Sequence, residues 1–341
     1  MNRSLIHRLV LAVSVSLALA ASAWWFYHSM QQALNQPIAL AAPVLYELRP
    51  GQSITKIANE LNANGWLRDA IFLRLEANRL GLASRVQAGT YELTPGITPR
   101  QLLEKFVRGE VKQYQVTIVE GTTFRDFRQA LMTLPGIVHT TSTLTDDELM
   151  AKIGAADQAP EGRFFPATYY YAHKTPDVDL FLRAYRQMER ILATEWATRS
   201  PDLPYAEAYQ ALIMASIIEK EAGAAAERPL VSGVFVRRLQ QHMKLQTDPT
   251  IIYGLGKAFD GNLHRTDLER DTPYNTYTRD GLPPTPIALP GAEAIRAALH
   301  PAAGDALYFV AKGNGTHEFS ATLKAHQAAV ARFQLGPHGA R

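Results

Sequence analysis

The chain has 341 residues, enough for roughly two domains, and a net charge of +3 scattered without a basic stripe, which argues against a nucleic-acid partner. It contains no cysteine, so disulfides, thiolate zinc sites, a cysteine nucleophile and a lipoprotein anchor are excluded together. The first predicted element is an uncharged apolar stretch from Leu9 to Tyr27, long enough to span a bilayer core and ending in Trp24-Trp25-Phe26-Tyr27. Arg3, His7 and Arg8 precede it, and no charged residue follows until Glu47, so residues 1–8 are expected in the cytoplasm and the rest outside. Ala21-Ser22-Ala23 has the small-residue pattern of a signal cleavage site, but an apolar run longer than a signal core favours a retained, single-pass anchor. Residues 28–44 read as an uncharged spacer.

Between 45 and 110 the elements alternate in a small unit. Leu45 to Leu48 reads as a strand, Ser53 as a cap, and Ile54, Ile57, Ala58 and Leu61 as one helical face. A second helix carries Phe72, Leu75, Ala77 and Leu80, and Ala88 to Leu93 returns as a strand. Thr98-Pro99-Arg100-Gln101 is a capping box with proline in the first turn, opening a helix that closes near Gly109. The strand-helix-helix-strand order resembles a LysM module, which implies binding to N-acetylglucosamine-containing glycans; a compact spacer domain gives the same pattern.

Residues 111–341 are expected to form a mixed α+β catalytic domain around a buried helix, making the whole chain α+β. A strand over Val116 to Val119 leads through Gly121 to a helix capped by Thr123, and a short helix follows from Asp146 to Ile153. Glu161 to Tyr171 gathers five aromatic rings around a glycine and a proline. Such rings suit the apolar faces of sugars and nominate Glu161 and Phe165 as substrate contacts, although at least half of the rings are expected in the core. Asp177 to Trp196 has the period of an amphipathic helix.

The run from Ala211 to Ile218 is apolar on almost every side of a helix, so it is expected to be enclosed. It ends in Glu219-Lys220-Glu221, with Gly223 as the stop. Partial burial and the negative helix end both disfavour a charged Glu219, and its pKa is expected to be raised, as a general acid requires. Glu221 lies about 200° further round and cannot share a pocket with it; a solvated helix-end residue remains the plain reading of Glu219.

Pro229 opens another helix, with Arg237 and Arg238 expected to face outward. In Leu245 to Gly254, Asp248 is expected as helix cap, Pro249 at the first position and Gly254 as the stop. Asp271 to Thr278 and Gly281-Leu282-Pro283-Pro284 make a long loop of the kind that persists where it builds a site. The carboxyl end reads as a hairpin around Gly313-Asn314-Gly315 followed by a helix. His317 and Glu318 have no third ligand and no HExxH pattern, so neither a metal nor a cofactor is expected.

ASIIEKE, ERPLVSGVFVRRL, KLQTDPTIIYGLG, TPYNTY, GLPPTPIALPG and ALHPA together resemble the endolytic murein transglycosylase (YceG-like) family, from Glu161 nearly to the end of the chain. The resemblance implies that Glu219 is the catalytic acid and that the substrate is the glycan strand of peptidoglycan, cut between N-acetylmuramic acid and N-acetylglucosamine, a step that terminates elongation of nascent strands beside penicillin-binding synthases. One position departs from it: the family's PDTY motif reads Pro166-Ala167-Thr168-Tyr169 here. With a single well-placed carboxyl, the C6 hydroxyl of the muramic acid would replace water as nucleophile and leave a 1,6-anhydro end. Gln246, Thr247, Asp248, Tyr253, Tyr274, Asn275 and Tyr277 are the candidates for holding sugar hydroxyls and acetamido groups. Two classes stay open, a membrane-anchored lyase and an inactive glycan-binding scaffold.

Overall fold

The structure is a computed structural model; it describes residues 3–335, with side chains from residue 6 onward. The start of the expected cytoplasmic tail therefore lies outside the described residues. The chain divides into two compact units, Met1–Tyr114 and Gln115–Arg341.

The first unit begins with α1 (Arg3–Asn35), whose portion from Ile6 is long and apolar enough to cross a membrane. The expected spacer is thus helical to Asn35, because Met30 and Leu34 find apolar cover against α3 and α4, described next, and are buried. Then come β1 (Val44–Leu48), α2 (Ile54–Ala63), α3 (Ala70–Arg79), β2 (Gly89–Leu93) and α4 (Pro99–Arg108). β1 and β2 pair antiparallel with Tyr46 opposite Tyr91. Ile57, Leu61, Leu73, Tyr91, Leu93, Leu102 and Phe106 fill the core between them. The local chemistry fixes the boundaries: Ser53 caps α2, Thr98 and Gln101 form the capping box of α4, and Gly109 ends α4 in the left-handed region at φ 67°.

β3 (Gln113–Thr117) carries the chain into the second unit and lies beside β5 (Thr168–Ala172). Between them run α5 (Phe124–Met132), β4 (Ile137–Val138) and α6 (Asp146–Lys152); β6 (Thr175–Pro176) pairs parallel with β4. Then follow α7 (Asp177–Ala197), α8 (Ala208–Glu221), α9 (Arg228–Gln240), α10 (Asp248–Leu255), α11 (Arg265–Glu269) and α12 (Ala292–Leu299). An antiparallel hairpin, β7 (Tyr308–Ala311) and β8 (His317–Ser320), and α13 (Leu323–Phe333) complete the unit.

α8 is the centre of this unit. Every residue from Ala211 to Ile218 is buried, because α7, α9, α10 and α12 surround the helix. The one polar residue in that run, Ser216, is satisfied twice: its hydroxyl donates to Ile213 O at 2.7 Å and accepts from Ile287 N at 2.9 Å. That second bond fastens the 287–291 segment to the helix. Four of the five aromatic rings from Phe164 to Tyr171 are core residues, and only Tyr170 is exposed.

Several local expectations are corrected. α8 stops at Glu221 with Ala222 extended, so Gly223 is not its cap. Arg237 and Arg238 turn inward, donating to the carbonyls of Ala302, Ala306, Leu307, Lys244 and Leu245, which have no ladder partners. Thr247, not Asp248, holds the cap position of α10, and the helix passes Gly254 to stop at Gly256. Gly254 is instead a close-approach position: a Cβ there would sit 3.1 Å from Tyr274 Cβ.

Candidate active site

Glu219 stands in the last turn of α8, where the enclosed face ends. Its side chain keeps 6% exposure, and both carboxyl oxygens are engaged. The Arg228 guanidinium lies 3.1 Å from Oε1, and the Gly291 N–H donates to Oε2 at 3.0 Å. Gly291 is also the cap residue of α12, so the positive end of that helix points at the carboxyl. Glu219 is therefore a carboxyl held by a cation and a backbone amide.

The roof of the site is the turn from Val119 to Thr123. Gly121 N donates to Leu289 O at 2.9 Å and Leu289 N to Thr122 O at 2.7 Å, which ties this turn to the segment carrying Gly291. Lys220 Nζ reaches Gly121 O at 3.1 Å. Gly121, at φ 78°, brings bare backbone close to the Glu219 side chain. Next to it is Glu120, its side chain 48% exposed and its Oε2 3.8 Å from the same Arg228 Nη2. Burial, then the neighbouring charge of Glu219, push the Glu120 carboxyl up, while Arg228 pulls it down.

Glu161 occupies a separate place. It accepts from Phe124 N at 2.9 Å and from the Tyr253 hydroxyl at 3.1 Å, and burial raises it to about 7. It lines a cavity of about 420 Å³ together with Arg125, Tyr253, Tyr274 and Thr285. Tyr253 and Tyr274 meet edge to face at 5.0 Å, and the Tyr274 and Thr285 hydroxyls are 2.8 Å apart.

The other candidates mostly hold one another. Thr247 donates to Glu221, whose carboxyl burial pushes up, and this pairing directs Glu221 away from the partners of Glu219. Tyr277 donates to Asp248 at 2.6 Å. Gln246, in the left-handed region at φ 48°, has its amide N–H on Thr276 O and its side-chain oxygen 3.4 Å from Arg238. Asn275 is 1% exposed, gives its NH₂ to the carbonyls of Asp267, Leu268 and Arg270, and takes the N–H of Tyr277. Its amide frames the loop, with both NH₂ hydrogens and one lone pair of the oxygen engaged within it. Phe165 is 9% exposed and packs in the core around α8. Ala167 is a strand-edge position whose carbonyl accepts Ile118 N at 3.0 Å.

Sequence reasoning missed Arg228, Glu120 and Gly291. Arg228 left a trace, since a cation in the first turn of a helix opposes the dipole and calls for another reason to be there.

Fold and site together define a carboxylate-centred α+β protein carrying an apolar helix of membrane-spanning length. Residues 46–332 match the YceG-like family, and the chain belongs to it. It is 32% identical over 304 residues to the endolytic murein transglycosylase of Bacillus subtilis (strain 168), covering 83% of this chain and 82% of that protein. The protein of the same name from Streptococcus pneumoniae serotype 2 is 27% identical over 89% of this chain, which spans 60% of its length. A crystal structure of a YceG-like protein from Listeria monocytogenes aligns with a TM-score of 0.54 and 27% identity over 85% of this chain and 99% of that one.

Proposed function

We propose that this protein is an endolytic murein lytic transglycosylase, a carbon-oxygen lyase that cuts peptidoglycan glycan strands, with Glu219 as its acid and base. The observation that carries this reading is the setting of Glu219: one carboxyl at the rim of a buried helix, fixed by Arg228 and the Gly291 amide. Glu219 in its acid form protonates the oxygen between N-acetylmuramic acid and N-acetylglucosamine as the bond breaks through an oxocarbenium-like state. The resulting carboxylate, held by those two donors, takes the proton of the C6 hydroxyl as that oxygen closes on C1. A nucleophile within the same sugar has the advantage of proximity and removes the need for a second carboxylate to activate water. Family membership supports an enzyme over an inactive scaffold, and so does the complete donor set around Glu219.

The same reading places α1 in the inner membrane with the second unit on the periplasmic side, near the penicillin-binding synthases that make the strands; the charge asymmetry around the apolar stretch supports the orientation. The first unit, with its strand-helix-helix-strand order, adds glycan affinity in the manner of a LysM module.

Digestion of purified glycan strands followed by mass analysis of the ends tests the chemistry. Intramolecular closure leaves muramic ends lighter by one water, about 18 mass units, than hydrolysis does. Glu219→Gln, nearly isosteric, is expected to fold and to lose at least about 10²- to 10⁴-fold in rate. Reducing ends would show water to be the nucleophile, and a fully active Glu219→Gln would remove the assignment of the acid.

A further inference from the structure

Outside the group assigned as acid, the described residues place one more carboxyl at the same cation. Glu120 Oε2 lies 3.8 Å from Arg228 Nη2, the atom that also holds Glu219 Oε1 at 3.1 Å. The contact is built into the backbone. A Cβ on Gly291 would fall 2.0 Å from Glu120 Oε1 and 2.3 Å from its carboxyl carbon, so the Glu120 carboxyl rests directly on the residue whose amide serves Glu219. The two carboxyls thus share Arg228, and both lie against Gly291.

We propose that Glu120 is a positioning residue of the active site, which competes with Glu219 for Arg228 and so divides that cation between two carboxyls. This rests on the assignment of Glu219 as acid. Two carboxylates at one guanidinium cannot both be ionised as easily as one, and the like charge offsets part of the cation's pull. Without Glu120, Arg228 would direct its whole charge at Glu219; with it, part of that charge is drawn to a second carboxyl. Its own carboxyl stays half-exposed and exchanges protons with solvent. The charged groups facing Glu120 are Glu219 and Lys220 of α8, Arg228 of α9 and Glu293 of α12; Lys220 acts on the Gly121 carbonyl rather than on the carboxyl.

The test is the pH profile of strand cleavage by the full-length chain in detergent, for the wild type, Glu120→Gln, Glu120→Asp and Gly291→Ala. Glu120→Gln removes the competing charge. The alkaline limb is then expected to move down by about one pH unit, giving roughly tenfold lower kcat at neutral pH with activity recovered in acid and KM little changed. Glu120→Asp keeps the charge and is expected to restore most of the limb. Gly291→Ala displaces the carboxyl while keeping the amide and is expected to shift the limb in the same direction as Glu120→Gln. An unmoved limb in Glu120→Gln, or a uniform loss at every pH, would overturn the inference even if Glu219→Gln is inert. Activity in Glu219→Gln would instead overturn the assignment beneath it.

Discussion

The Tyr253 hydroxyl donates to Glu161 Oε2 at 3.1 Å, joining α10 to the aromatic segment across 92 positions of sequence. Glu161 is 6% exposed and burial raises its carboxyl from 4.5 to about 7. Because the folded value is the higher one, the stability this group contributes is complete below the unfolded value and is lost as the pH rises through 7. Glu161→Gln, which cannot ionise, is therefore expected to match the wild type near pH 4 and to exceed it by about 3 kcal/mol at pH 8. Urea unfolding at the two pH values checks this; parallel behaviour of the two proteins would refute it.

Ser216 fixes the segment that brings Gly291 to Glu219. Ser216→Ala leaves the buried Ile287 N–H without its acceptor at 2.9 Å, a loss of about 1–3 kcal/mol. Stability should fall by that amount in thermal unfolding. Cleavage should fall with it at temperatures well below the transition, since the Gly291 amide loses its fixed placement. Full activity in a destabilised Ser216→Ala would show that the segment holds its position without this bond.

Asn275 offers a test of framing against sugar binding. Asn275→Asp replaces two donor hydrogens by a charge facing the carbonyls of Asp267, Leu268 and Arg270. The expected result is faster proteolysis of the 262–282 loop and a lower melting temperature. Loss of glycan affinity with the loop as resistant as in the wild type would assign the amide to substrate instead.

Arg228→Met should act opposite to removal of Glu120. Arg228 is the main influence holding the Glu120 carboxyl down, so without it both carboxyls lose their shared cation. The alkaline limb of the cleavage profile is expected to move up. A downward shift would mean that Arg228 serves the substrate rather than the carboxyls.

Much of the fold was legible in the sequence because its signals are local. The Thr98-Gln101 box, the Thr123 cap and the enclosure of Ala211 to Ile218 each follow from residues within a turn or two of one another. The position of Glu219 at the polar edge of an apolar helix was legible for the same reason. Its partners were not, since Gly291 lies 72 positions away and Glu120 reaches the site only through the fold of the roof turn. The polar loop motifs were legible only in part: Asn275, Tyr277 and Thr247 stand out in the sequence as candidate sugar contacts, and the folded loop gives each of them a hydrogen-bond partner that the sequence does not show. Arg238 misled for a related reason, as carbonyls of distant segments drew a charge inward.

With α1 as the membrane anchor proposed above, the unbroken helix from Arg3 to Asn35 makes bilayer thickness a variable of folding. Its 33 residues rise about 50 Å, whereas a hydrocarbon core takes up about 30 Å. The turns left over carry Met30 and Leu34, which are buried against the first unit rather than in lipid. If the helix settles one turn deeper, those side chains exchange protein for acyl chains and the unit loses one wall. A thicker membrane would draw the helix inward and loosen this unit, and a thinner one would leave it whole, so the lipid around the anchor becomes part of what keeps a domain beyond its surface folded.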